Sequence, residues 1–301
     1  MDVTELILLL SDVSGVGEKT LAAVLQRNAV LRRAPEQFLA LDADRLVDEY
    51  GFRREAAQHV QSLTSGSSDK AIAAAREMRR PGIQLLTIMD AAYPKRLSES
   101  LDHPPPVLYT YGTLDLADAP LFAVANSNGA GEDALAACDR AAEAAIARGW
   151  WPVTGHNRVP YQRPALVSRR NGGRVCYVLD RGMFEAFGGD LRRELFPAAR
   201  IWSPAYDPVC DLTLTPFPLR AHSLAAHNQR RDEIVFGMAR VVLVGEVRAG
   251  GNMERECRRA LSRGCPVFLL GPQRDSDAAW LDHGARRIAT DELIDSLPAA
   301  I

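Results

Sequence analysis

From residue 83 onward the chain alternates short apolar runs with helical stretches, and this alternation limits the fold more than any other feature. The runs are IQLLTIM, PPVLYTYG, LFAVAN, WWPVTG, RVCYVLD, AARIWS, VVLVGE and PVFLLG. Between them lie EDALAACDRAAEAAIARG, MFEAFGGDLRRELF, AHNQRRDEIVFGMA and MERECRRALSRG, which read as helices. Strands that are apolar on both faces must be covered on both sides, and strands separated by helices pair in parallel. The pattern predicts an α/β fold: an extended Rossmann-like domain over 83–301, with a mostly parallel sheet and helices on both faces.

Residues 1–80 have another texture. LILLL, LAAVLQ, FLAL, LVDEYGF and AAQHVQSL carry apolar positions at helical spacing, and DKAIAAAREMRR continues as a helix to Pro81-Gly82. A small all-helical domain is expected there. The net charge of -2 means that any surface for a polyanion must be local. Five cysteines, at 138, 176, 210, 257 and 265, form no CxxC pair, so neither a zinc site nor a disulfide framework is expected. Reduced thiols fit a cytoplasmic protein. MDVTELILLLSDV lacks the basic flank of a signal peptide, and no run reaches the roughly 18 apolar residues of a membrane span.

Three stretches carry candidate chemistry. SGVGEKTLAAVL, 14–25, is no Walker loop: Glu18 separates Gly17 from Lys19, and the upstream segment is helical. It fits a helix-hairpin-helix, in which Gly15 and Gly17 make a tight turn and Lys19 opens the second helix facing a DNA backbone. The plainer reading is a sharp turn and nothing more. In AGGNMERE, the turn Gly250-Gly251-Asn252 opens a helix and offers an anion seat, or merely turns the chain from strand to helix. Residues 219–263 hold nine Arg against five Asp plus Glu. There, Arg255, Arg258, Arg259 and Arg263 lie on one helix, and Arg230 and Arg231 precede it. An arginine face can track phosphates, although such faces are more often simply solvated. The six histidines are scattered, and no nucleophile elbow or Cys–His pair marks a catalytic centre.

The string Tyr93-Pro94, Leu97, Pro104-Pro105-Pro106, Leu108, Tyr109 and Gly112, the block 234–272 and WLDHGARRI occur in an order that resembles the DNA-processing protein A (DprA/Smf) family. The resemblance covers nearly the whole chain. It implies a helical N-terminal domain with a helix-hairpin-helix and an extended Rossmann-like core. It also implies a cytoplasmic homodimer that binds single-stranded DNA and delivers it to the RecA recombinase, without cofactor or metal. The optional winged-helix domain is not expected after DELIDSL.

Departures from the family pattern fall on its phosphate-facing turns. Gly-Ser-Arg is replaced by Asn126-Ser127-Asn128, which leaves Ser127 as a donor. The second turn, 154–165, keeps only Thr154-Gly155, and Tyr161 stands where an Asp is expected, with Arg158 or Arg163 as substitutes. Arg-Asn-Arg becomes Arg231-Asp232-Glu233, where the acids either repel phosphate or pair with Arg230 and Arg231 on a solvated face. Two other readings compete. AGGNMERE is also similar to the loop of lysine-decarboxylase-like nucleotide phosphoribohydrolases, which would make Glu256 a catalytic carboxylate. A paralogue with lost ligand turns would instead serve as a regulatory partner of a toxin or defence protein.

Overall fold

The computed structural model describes residues 1–63, 65–188, 206–274 and 277–297. The run AARIWS, read above as a strand, lies outside the described residues. The chain divides into two compact units, the first formed by 1–93, 103–111 and 216–219. It contains helices α1 (Val3–Ser11), α2 (Glu18–Leu31), α3 (Pro35–Leu39), α4 (Ala43–Tyr50), α5 (Arg54–Gln61) and α6 (Ser65–Arg79), followed by β1 (Gln84–Thr87) and most of β2 (Val107–Gly112). Asp2 and Glu5 close a reciprocal capping box that starts α1, and Leu6 to Leu10 are all buried. The two strands pair antiparallel, with Leu86 opposite Leu108. Tyr93 Oη donates to the Pro105 carbonyl at 2.7 Å, so the Tyr-Pro and triple-proline motifs clamp one another.

The second unit, 94–102, 112–215 and 220–301, carries the parallel sheet. Its elements are α7 (Lys95–Ser100), α8 (Asp115–Asp118), β3 (Leu121–Ala125), α9 (Glu132–Ile146), β4 (Trp151–Thr154), α10 (Val159–Arg170), β5 (Cys176–Val178), α11 (Met183–Phe187), β6 (Leu212–Thr215), α12 (Ala225–Met238), β7 (Val241–Val244), α13 (Asn252–Ser262), β8 (Val267–Leu269), α14 (Ala278–Leu281), β9 (Arg286–Arg287) and α15 (Thr290–Ser296). The strand order is β6-β5-β4-β3-β7-β8-β9, and every pair is parallel. This is the doubly wound Rossmann order extended by one strand, β6, which escaped the sequence reading along with β9. All five residues of β3 are buried. α9 lays Ala137, Cys138, Ala141, Ala142 and Ala145 into the core with Phe122 and Leu243. Small side chains on that face let the helix approach the sheet closely.

Gly112 has φ +109°, and a Cβ there would lie 2.0 Å from the Asp211 carbonyl oxygen, so no other residue fits. Asp211 is fully buried and pairs with Arg169. No helix among the described residues is long and apolar enough to cross a membrane. All five cysteines are free thiols, and among the described residues no group of three His, Cys, Asp or Glu could hold a metal.

Candidate functional site

In a doubly wound sheet, ligands bind beyond the carboxyl ends of the strands where the order reverses. Here that point lies between β3 and β7. The two loops that leave it are tied to each other. Glu246 N–H donates to Asn126 Oδ1 at 2.8 Å, Ser127 N–H to the Glu246 carbonyl at 2.7 Å, and Arg248 N–H to Ser127 Oγ at 2.8 Å. Ser127, expected as a phosphate donor, therefore builds the scaffold. Gly245 makes this possible, since a Cβ there would lie 2.3 Å from Asn126 Oδ1.

The amide at the start of α9 already holds an anion: Gly131 N–H donates to Glu246 Oε2 at 3.0 Å. The glycine turn before α13 is served in the same way. Gly250, at φ +71°, donates its N–H to Glu254 Oε2 at 2.6 Å. Glu254 also pairs with Arg258 at 2.8 Å. Arg258 first, then the Gly250 amide, holds the Glu254 pKa below its ordinary value. The chain's own carboxylates thus sit where a phosphate oxygen would bind.

Beside this turn opens a shallow cleft of about 410 Å³, lined by Gly250, Gly251, Glu254 and three arginines of α13, Arg255, Arg258 and Arg259. Their side chains are 46%, 37% and 46% exposed, which leaves donors for a ligand. Each also has an acidic partner: Arg255 with Glu256 at 3.4 Å, Arg258 with Glu254, and Arg259 with Glu233 at 3.1 Å and Glu256 at 3.0 Å. Three guanidiniums pair with three carboxylates, of which Glu254 lines the cleft. Arg230 pairs with Glu233 at 3.0 Å. Arg263, expected on the same face, does not line the cleft.

Arg231 departs most from its expected role. It is 2% exposed, with its guanidinium stacked 4.2 Å from the Tyr161 ring centroid. It donates to Asp232 Oδ1 at 2.8 Å, Tyr161 Oη at 2.8 Å and Asn157 Oδ1 at 2.7 Å. Asp232 in turn accepts from Asn252 Nδ2 at 2.6 Å. Gly155 lets the Arg231 chain pass, since a Cβ would lie 3.0 Å from Arg231 Cδ. Arg231 and Asn252 are therefore internal pins that join α12, the 155–161 loop and α13, and Arg231 offers nothing to a ligand from the surface. The acids at 232 and 233 do pair with the arginines, but the Arg231–Asp232 pair is buried and not on a solvated face. Arg163 is no substitute cation either: Asp139 holds it at 2.6 Å and Glu132 at 2.9 Å.

Glu256 is 1% exposed and lines no part of the cleft, which removes the geometry a catalytic carboxylate needs. Burial raises its pKa, against the opposing pull of Arg259. In the first unit, Gly15 sits at φ +86° between α1 and α2, and Gly17 caps α2 without a side-chain bond. A Cβ on Gly15 would press against Ala56 of α5 at 3.3 Å. Lys19 is exposed in the first turn of α2 and, among the described residues, forms no ion pair.

The family profile described as DNA recombination-mediator protein A matches residues 84–158. The DNA processing protein DprA of Streptococcus pneumoniae is 25% identical over 184 residues. Over these residues the chain is similar to the DNA-processing protein A family. That alignment covers 61% of this chain and 61% of the relative, so the chain spans about three fifths of the length of the relative it matches. The X-ray structure of the pneumococcal protein superposes with a TM-score of 0.76 at 19% identity, covering 98% of each chain. A Helicobacter pylori DNA processing protein A, solved for its single-stranded DNA binding mode, gives a TM-score of 0.57 at 16% identity over 72% of this chain and 96% of that one. At these identities the two structures establish the shared fold. The profile match includes the motif string from β1 to the β4 turn, where Tyr93, Pro105 and Gly112 have the structural roles described above.

Proposed function

We propose that this protein binds single-stranded DNA in the course of DNA processing and recombination, and that the cleft on α13 is where the backbone lies in the second unit. The observation that carries the reading is the set of three half-exposed arginines beside the Gly250-Gly251 turn, in a chain similar to this family. The partly exposed pairs of Arg258 with Glu254 and of Arg259 with Glu233 are worth only about 0–1 kcal/mol each, so a phosphate can displace those two acids. Each guanidinium has five donors and spends a few on its carboxylate. Arg255, Arg258 and Arg259, with Gly251 as the turn, replace the main-chain cradles that Glu246 and Glu254 have filled. Arg230 sits at the rim. Gly15, Gly17 and Lys19 supply a separate backbone contact in the first unit. Delivery to RecA, a homodimeric assembly and a cytoplasmic setting belong to the same reading.

Fluorescence anisotropy with a labelled oligonucleotide tests it. Single-stranded DNA raises the anisotropy at low salt, and log K falls with log salt at about 0.7 per phosphate contacted. No rise at low salt would remove the proposal. Free base released from nucleoside monophosphates would instead revive the hydrolase reading.

A further inference from the structure

The three arginines of the α13 cleft are not held alike. Arg258 lies against Glu254, and Arg259 against Glu233 and Glu256, so both are steered by carboxylates. Arg255 is gripped at two points of its fork. Its Nε faces Glu256 Oε1 at 3.4 Å, and its Nη2 donates to Asn252 Oδ1. Asn252 is the first residue of α13 and lines no part of the cleft. An amide oxygen accepts from a guanidinium without cancelling its charge.

The amide that holds Arg255 is itself aimed from the interior. A guanidinium only donates, so the oxygen of Asn252 must face Arg255 and the nitrogen must face the other way. That nitrogen, Asn252 Nδ2, donates to Asp232 Oδ2 at 2.6 Å. Asp232 is 3% exposed, and its other oxygen accepts from Arg231 at 2.8 Å and from Tyr161 Oη at 3.0 Å. Arg231 also donates to Asn157 Oδ1, whose Nδ2 donates to the fully buried Asp180 at 2.8 Å. A chain of hydrogen bonds thus runs from the end of β5 through Asn157, Arg231, Asp232 and Asn252. It stops at Arg255, a cation whose side chain is 46% exposed.

We propose that Asn252 is a positioning residue for nucleic-acid binding, an inference that rests on a single strand lying in the α13 cleft. It carries the fixed position of Asp232 out to Arg255, so that this guanidinium meets a phosphate already ordered. Asn252 itself touches no phosphate. Ordering a long, flexible side chain on binding costs affinity, and order present beforehand removes that cost.

A double-mutant cycle between Asn252→Ala and Arg255→Gln is the test, read on the full chain as single-strand anisotropy across a salt series. Asn252→Ala weakens binding about fivefold and leaves the salt slope unchanged, because the positive charge stays and only its order is lost. Arg255→Gln weakens binding and makes the slope shallower by about 0.7. In the Arg255→Gln background, Asn252→Ala has no further effect. An asparagine with a merely structural role would weaken binding equally in both backgrounds. Arg255→Lys gives a measurement that does not depend on the folding of Asn252→Ala. Its ammonium keeps the charge and lacks the fork, so it binds about fivefold more weakly with an unchanged slope. Equal losses from Asn252→Ala in the two backgrounds overturn the proposal. So does wild-type affinity in Asn252→Ala or Arg255→Lys while Arg255→Gln binds weakly. Wild-type affinity and slope in Arg255→Gln would instead take the strand away from Arg255, and the role of Asn252 falls with it.

Discussion

Replacing Glu254 by Gln isolates the effect of the carboxylate that fills the α13 turn. Its two oxygens are committed, one to Gly250 N–H at 2.6 Å and the other to Arg258 at 2.8 Å. Gln keeps an oxygen for the Gly250 amide, so the turn survives and only the charge is removed. The cleft then loses its lining carboxylate and gains one unit of positive charge. Two unit charges about 4 Å apart in water interact by about 1 kcal/mol, which is roughly fivefold in affinity. The freed Arg258 adds about one phosphate contact, which steepens the salt slope by about 0.7. Stability falls by less than about 1 kcal/mol, the worth of an exposed pair. Anisotropy with a labelled single strand, repeated at several salt concentrations, reads both quantities. If Glu254→Gln binds equally or more weakly, with an unchanged slope, the carboxylate does not compete with phosphate and the reasoning is wrong.

Three further outcomes follow from other parts of the molecule. Asp232→Ala strands the Arg231 guanidinium in the interior and lowers stability by about 3–5 kcal/mol in urea denaturation, whereas a loss below about 1 kcal/mol would show that the pair is not the pin described here. Lys19→Gln weakens single-strand binding severalfold and reduces the salt slope by about 0.7, with no change in the urea midpoint. His156 is 7% exposed and 3.7 Å from Asp180, and burial lowers its pKa from 6.5 to about 4, against the opposing pull of Asp180. The unfolded chain therefore takes up a proton before the folded one does. Stability that is complete above pH 6.5 is lost as pH falls toward 4, by up to about 3 kcal/mol, and His156→Gln flattens urea-derived stability across that window.

Much of the fold was legible because its strands are buried on both faces. LFAVA, VVLV and VFL cannot be anything but central strands once helices separate them. β6 was not legible: LTLT is only half apolar and lies between Pro208 and Pro216, which read as loop. β9 is two arginines, held by pairing with Phe268 and Leu269, and has no strand signature of its own. The glycine turn before α13 was visible, and so was the arginine row.

What could not be read was where each charge finds its partner. Glu254 and Arg258 are four residues apart and could have been paired from the helix period. Arg259 reaches Glu233 on another helix, and Glu246 reaches Gly131 across 115 residues. Arg231 looked like a surface residue in the sequence RRDE, yet Tyr161, 70 residues earlier, gives it a ring to stack on and Gly155 a path. Tyr161 is thus the residue that holds Arg231 inward.

The account rests on α13 arginines that exchange carboxylates for phosphates. The double variant Arg258→Gln/Arg259→Gln measures this most directly, by its single-strand affinity across a salt series against wild type. The account predicts weaker binding at low salt and a log–log slope shallower by about 1.4, two contacts at about 0.7 each. Superimposable salt curves for the two proteins would contradict it and move the DNA away from this cleft.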